Sequence, residues 1–334
     1  MEPQLGTWPR LQNESSYNLF SFAEFLEWKY SSPSLGYGRD GVGLSNASPA
    51  QEVTVVHKGT TYLPDFAYDP GFKLGFGSQF GPDKLFDLVA TYQWLYSSPK
   101  GSITGSDIST SFLPLNYLTS STTASNQYSL ASLGLNLHFN WVELQSGYTF
   151  DPTKYLTLRP YLALQAMFIE GDLRARYEYT LTATSGGATS GTFEIAKTHG
   201  HSSSWSIGPR LGIDFTIRPT ENFGIYYNGS WTQQATTIRM TSTQTQERPA
   251  SATKFVIQKG DLTLNRSIGM FILELGPTWD QWFANKKYYL QLRATWSMTS
   301  LLGGGNLSFL NNNNANIGVV SEFRGYNLRA LFAF

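Results

Sequence analysis

The chain has 334 residues, with 24 Lys and Arg against 24 Asp and Glu, and no Cys. A net charge of zero with no basic stretch argues against a nucleic-acid partner, and the missing thiols exclude disulfides, zinc–cysteine sites and thiol catalysis. No run of eighteen apolar residues supplies a transmembrane helix, yet aromatic residues make up 15% of the chain and Gly is abundant. The amino terminus lacks a charged segment followed by an apolar one, so export implies that a signal peptide has already been removed.

Period-two alternation recurs along the chain and predicts ten strands. In the first, Phe20, Phe22, Leu26, Trp28 and Tyr30 alternate with Ser21, Ala23, Glu27 and Lys29. Phe72, Leu74 and Phe76 then alternate with Lys73, Gly75 and Gly77, and Phe86, Leu88, Ala90, Tyr92 and Trp94 with Asp87, Thr91 and Gln93. A fourth segment, 130–149, sets Leu133, Leu135, Leu137 and Trp141 against Asn136, His138 and Asn140. In the fifth Leu158, Pro160, Leu162 and Leu164 oppose Arg159 and Tyr161, and in the sixth Trp205, Ile207, Leu211 and Ile213 oppose Arg210 and Asp214. The seventh carries Phe223, Ile225, Tyr227 and Trp231. The eighth sets Leu273 and Leu275 against Glu274, and the ninth sets Tyr288, Leu292 and Trp296 against Arg293. The last strand has Tyr326, Leu328, Ala330, Phe332 and Phe334 on one face and Asn327 and Arg329 on the other.

The connections decide the architecture. G-P-D-K, D-P-T-K, R-P-T-E-N and D-Q-W-F-A-N-K-K are short and rich in turn formers. They alternate with five long Ser-, Thr-, Gly- and Asn-rich stretches at 31–69, 97–129, 180–203, 239–263 and 301–321. This predicts an all-β, transmembrane, antiparallel up-and-down β-barrel with periplasmic termini and five long outer loops. It has ten strands, or twelve if 53–63 and 112–119 also pair. Residues 1–17 form a periplasmic N-terminal segment and 18–334 one barrel domain.

Aromatic spacing adds a second regularity. Trp28, Trp94, Trp231 and Trp296 each follow an aromatic residue by eight positions. That spacing is about 26 Å along a strand, or roughly 20 Å along the axis of a barrel tilted by about 40°. These four Trp are read as an aromatic girdle at the outer interface. The polar faces place Glu27, Lys73, Asp87, Arg159, Arg174, Arg176, Arg210, Asp214, Glu274, Arg293 and Arg329 in the lumen, along with His138. Such charges line a wet path or pair across it as a plug, and both readings stand open. Inward glycines at 75, 77, 134, 208, 212 and 325 either leave space or mark where Tyr161 or Tyr226 crosses the lumen. The apolar segment 107–118, with Phe112 and Leu115, and the first-loop segment 62–68 are expected to fold inward or pack over the rim.

The motifs D-P-G-F-K-L-G-F-G (69–77), L-F-D-L-V-A-T-Y-Q-W-L (85–95), L-R-P-Y-L-A-L (158–164), W-S-I-G-P-R-L-G (205–212) and the terminal G-Y-N-L-R-A-L-F-A-F resemble one family. It is that of the MOMP-like pore-forming outer-membrane proteins of legionella and chlamydia-related bacteria. Phe86-Asp87 stands where that family often has Trp-Asp. The resemblance implies a Gram-negative outer-membrane location and a porin-like role, with passive diffusion of small hydrophilic solutes or ions. The rival reading is a closed barrel acting as an adhesin or structural surface protein through its loops. Expected partners are outer-membrane lipid, lipopolysaccharide, small solutes and, through the C-terminal strand ending at Phe334, the barrel-assembly machinery. No cofactor, metal or catalytic residue is expected, because His199 and His201 read as a solvated loop and supply too few ligands for a metal.

Overall fold

In a computed structural model, described for residues 17–39, 60–110, 128–185, 188–285, 287–302 and 320–334, the chain forms fourteen strands. They are β1 (Asn18–Ser31), β2 (Gly38–Arg39), β3 (Thr61–Tyr62), β4 (Tyr68–Phe80), β5 (Phe86–Ser97), β6 (Lys100–Thr110) and β7 (Tyr128–Tyr148). β8 (Phe150–Thr153), β9 (Leu156–Ser185), β10 (Ala188–Ile217), β11 (Phe223–Arg248), β12 (Thr253–Phe283), β13 (Tyr288–Leu302) and β14 (Ser321–Ala333) follow. Ten of them close an antiparallel ring in the order β1, β4, β5, β7, β9, β10, β11, β12, β13, β14. Two seams make the closure. β7 pairs with β9 from Leu130↔Glu178 to Gly147↔Tyr161, and β1 pairs with β14 from Phe20↔Ala333 to Ser31↔Glu322. A closed ring leaves no strand edge inside a bilayer, where an unpaired backbone group costs several kcal/mol, roughly.

The remaining strands do not enter the ring. β6 continues β5 along β7 after a break at Ser98 and Pro99, where proline has no N–H to donate. β8 likewise continues β7 along β9. Among the described residues β3 pairs only with β2, which lies on the far edge of β6. Segment 112–119 and residues 53–59 lie outside the described residues, and of 60–63 Thr61–Tyr62 pair as β3 outside the ring.

Two of the five predicted loops prove to be strand. Residues 180–185, 188–203, 239–248 and 253–263 continue the ladders of β9, β10, β11 and β12, which reach 30, 30, 26 and 31 residues. Their Ser and Thr content reads as loop by composition. However, Thr is β-branched and suits a pleated surface, and Tyr177, Tyr179, Ile238 and Met240 keep the two-residue period on the buried side. About ten residues of a tilted strand cross the hydrocarbon, so these hairpins stand well beyond the bilayer.

The outer wall matches the alternation over most of the ring. Leu162, Leu164, Leu211, Ile213, Ile225, Leu275 and Leu328 all face outward, Leu211 being 63% exposed. Trp94, Trp231 and Trp296 lie on this face, and Trp94 stacks on Phe72 at 5.7 Å. Trp28 does not. It is 4% exposed, points inward, donates from Nε1 to Asn327 Oδ1 at 2.6 Å and meets Trp141 edge-on at 6.4 Å. The aromatic face of β1 is the inner face, so Glu27, read as luminal, points outward with Phe25 and Ala23.

The cause is a size match across strands. Phe20 lies opposite Gly77 and Phe22 opposite Gly75, and a Cβ on Gly75 would sit 2.1 Å from the Phe22 ring. The same inversion affects the upper half of β7. Leu133, Leu135 and Leu137 are buried inside, whereas His138 points out. Arg174 and Arg176 also face outward, above the apolar band.

Candidate functional site: the charged layer in the lumen

Three layers fill the interior. Nearest the short turns, Phe20, Phe22, Val89, Tyr289, Leu331 and Ala333 form an apolar cluster backed by Trp282. Beside it Arg218 donates to Asp280 from Nε at 2.9 Å, and Asp280 also accepts from Tyr289 and Gln291. Nearest the long hairpins, Leu26, Trp28, Tyr30, Leu95, Trp141 and Phe323 belong to a larger apolar cluster. Leu35 and Tyr37 of the first connection are buried in that cluster, Tyr62 packs against it, and Phe66 meets Tyr30 edge-on at 6.0 Å. The expected inward packing of 62–68 is therefore present at Tyr62 and Phe66, whereas Leu63 and Tyr68 are exposed. Ile108 is buried as well, while Phe112 and Leu115 lie outside the described residues.

Between the apolar layers lies the charged one. Arg159, 2% exposed, donates from Nε and Nη2 to both oxygens of Asp87 at 2.7 and 2.6 Å and from Nη1 to Asp214 at 2.7 Å. This is the bidentate geometry that a planar guanidinium favours. Asp214 also accepts from Tyr226 Oη at 2.6 Å and Asn228 Nδ2 at 2.7 Å. Arg210 donates to Glu143 at 2.6 Å and to Ser230 Oγ at 3.0 Å. The two guanidinium carbons lie 5.3 and 5.5 Å from the Tyr161 ring centroid, a cation–π arrangement on both counts.

Glycines make room for these groups. A Cβ on Gly212 would lie 2.3 Å from Tyr161, and one on Gly147 would lie 2.7 Å from the Arg159 guanidinium. Gly212 is thus where Tyr161 crosses the lumen, one of the two roles the inward glycines could have had.

The other side of the layer is looser. Lys73 lies opposite Glu24, Glu24 opposite Arg329, and Arg329 opposite Arg293, in direct cross-strand register. Among the described residues none of these groups, nor Glu274, makes an ion pair within 4.0 Å of a partner. Arg329 instead lies over the Phe22 ring at 3.7 Å and Arg293 over Tyr226 at 3.3 Å. The Nε atoms of Arg293 and Arg329 are buried without a hydrogen-bond partner. A polar cavity of about 50 Å³ reaches Lys73, Glu24, Arg329 and Glu274, enough for a few waters to bridge them.

Of the residues the alternation assigns to the lumen, Lys73, Asp87, Arg159, Arg210, Asp214, Glu274, Arg293 and Arg329 meet in this layer. Glu27, Arg174, Arg176 and His138 do not. Glu143 and Glu24 also belong to it, although a rule that sends the apolar face to lipid puts both on the outside. Lys73, Arg159, Arg210, Arg293 and Arg329 are matched by Glu24, Asp87, Glu143, Asp214 and Glu274, so the layer's formal charges cancel.

The outer hairpins carry a second set of polar groups. His201 Nδ1 lies 3.0 Å from Asp172 Oδ1, and His199 Nε2 lies 4.0 Å from it, both pairs well exposed on strand rather than loop. Glu194, fully buried, accepts from Tyr179, Gln246 and Arg248. Lys197 Nζ donates to Glu247 at 2.6 Å and Lys254 lies 3.6 Å away, which holds the Glu247 carboxyl below its ordinary value of 4.5. A depressed folded value means that the carboxylate supports the hairpin above pH 4.5, roughly, and loses that support as pH falls through the folded value. A carboxyl-detected NMR titration is expected to give Glu247 a midpoint below 4.5 that rises in Lys197→Met.

A closed antiparallel ring with an apolar belt outside, aromatic residues at its margins and charges inside defines a transmembrane β-barrel of the Gram-negative outer membrane. The family model described as Legionella pneumophila major outer membrane protein precursor matches residues 38–316, and the chain belongs to that family. No curated protein matches the sequence. Among solved structures, the outer-membrane protease OmpT from Escherichia coli is similar at 9% identity and a TM-score of 0.44, over 95% of this chain and 96% of that one. The transport unit of the Escherichia coli autotransporter AIDA-I gives 10% identity and a TM-score of 0.31, over 96% and 91%. The Pseudomonas putida toluene transporter TodX gives 9% and 0.29, over 99% and 93%.

Proposed function

We propose that this protein is a closed outer-membrane barrel that works at the cell surface through its extended outer hairpins, as an adhesive or structural surface protein. The observation that carries the reading is the filled interior. Among the described residues an apolar layer at each end encloses a charged layer whose signs cancel, and the polar cavity in that layer is about 50 Å³. A solute-selective pore instead needs a continuous wet path, commonly with one sign of charge along it. The hairpins of β9 to β12 supply the working surface, with Arg174, Lys197, His199, His201 and Lys259 outward above the apolar belt. The proposal includes no reaction and no cofactor.

A second reading, the porin-like channel, is favoured by the loose half of the charged layer. Lys73, Glu24, Glu274, Arg293 and Arg329 lack direct ion pairs among the described residues, and displacing Trp28 and Phe22 would open a hydrated sector along β4, β1 and β14. Planar-bilayer recording on refolded, heat-modifiable protein separates the two. The closed-barrel reading expects silence at any salt concentration. Discrete steps whose reversal potential shifts in Arg293→Gln would establish the channel instead.

A further inference from the structure

The lipid-facing wall is not uniformly convex. Across β4, β1, β14, β13, β12 and β11 runs an apolar groove of about 720 Å³. Its floor is made by Ala23, Ala294 and Ala330, with Ala23 directly opposite Ala330 across the β1–β14 seam. Phe25 and Phe72 stand at one end, and Trp279 and Phe223 at the other. Five interstrand steps of about 4.8 Å give it a length of roughly 24 Å.

We propose that this groove is a binding site for one acyl chain of a phospholipid from the periplasmic leaflet. The groove lies within the apolar belt, where water is not available to fill it. Its β11 end opens at Phe223, the first residue after the short turn 218–222, so a chain lying in it places its headgroup at the periplasmic rim. A second copy of this chain docked by two-fold symmetry would set the same concave patch against itself, and two concavities leave a void rather than a contact. A flexible hydrocarbon chain fits, and each buried methylene contributes about 0.8 kcal/mol. The alanine floor provides the depth. Larger side chains at these positions would raise it level with the flanking aromatics.

Native mass spectrometry with added dipalmitoyl phosphatidylethanolamine tests the assignment. The natural chain is expected to retain one lipid at concentrations where Ala330→Phe, which fills the floor, retains none. Ala90→Phe, at an exposed position on the same belt but on β5, is the control and is expected to behave as the natural chain. Heat modifiability on a gel shows that each variant has folded, and Ala23→Leu serves if Ala330→Phe does not fold. Equal lipid retention by Ala330→Phe and Ala90→Phe would overturn the proposal. So would a dimer of the natural chain that Ala330→Phe dissociates, since the occupant would then be a second copy.

Discussion

Replacing Arg159 by Met is expected to lower the free energy of unfolding by about 3–5 kcal/mol, because it strands buried carboxylates rather than because it removes an attraction. Asp87 is 1% exposed and loses both of its hydrogen bonds from Arg159, whereas Asp214 keeps Tyr226 and Asn228. The loss therefore falls mainly on Asp87. Adding Asp87→Asn to Arg159→Met should recover a large part of it, a non-additivity that urea unfolding of the refolded protein reads directly. For contrast, Arg176→Met breaks an exposed pair with Glu178 and should cost less than about 1 kcal/mol. If Arg159→Met were as mild as Arg176→Met, the middle of the barrel would be wet.

The second large effect comes from the neighbouring positions 210 and 211, which face opposite ways. Leu211 is on the lipid face, 63% exposed, while Arg210 is buried against Glu143. Leu211→Arg is expected to cost about 2–4 kcal/mol, as a cation near the bilayer midplane does. The same unfolding measurement in phospholipid vesicles gives the value. A neutral outcome would place β10 the other way round, with its Ile and Leu side chains inward.

Much of this architecture was legible because alternation and turn chemistry are local signals. Eight strands, β4, β5 and those from the lower part of β9 to β14, have their faces as read, and the short turns lie where G-P-D-K and R-P-T-E-N predict them, whereas Asp151–Thr153 of D-P-T-K belong to β8 and Asp280–Phe283 of D-Q-W-F-A-N-K-K to β12. Alternation, however, groups residues into two faces without saying which is inside. In β1 and in upper β7 the interior is apolar, so a rule that sends the apolar face to lipid inverts both strands. That inversion misplaced Trp28, Glu27 and His138 and hid Glu24 and Glu143.

A signal for the correction was present within β7 itself. Below Trp141 the outward residues Val142, Leu144 and Tyr148 continue the face of His138 and Asn140, which fixes Glu143 and Gly147 inside. For β1 the signal was the pair Gly75 and Gly77 on the next strand of the ring, since facing glycines require a large partner. The length of the outer hairpins was masked by composition, as Ser and Thr serve a solvated strand as well as a loop.

The most direct test of a sealed interior uses the absence of cysteine from the natural chain. Thr91→Cys puts one thiol beside the polar cavity, and His201→Cys puts one on the exposed face of the outer hairpin. With a charged, water-soluble methanethiosulfonate added to the folded protein in vesicles, the thiol at 201 is expected to react fully while that at 91 stays unmodified until urea unfolds the barrel. Equal rates at the two positions would mean that water and solutes pass freely through the lumen, and the closed-barrel account would be wrong.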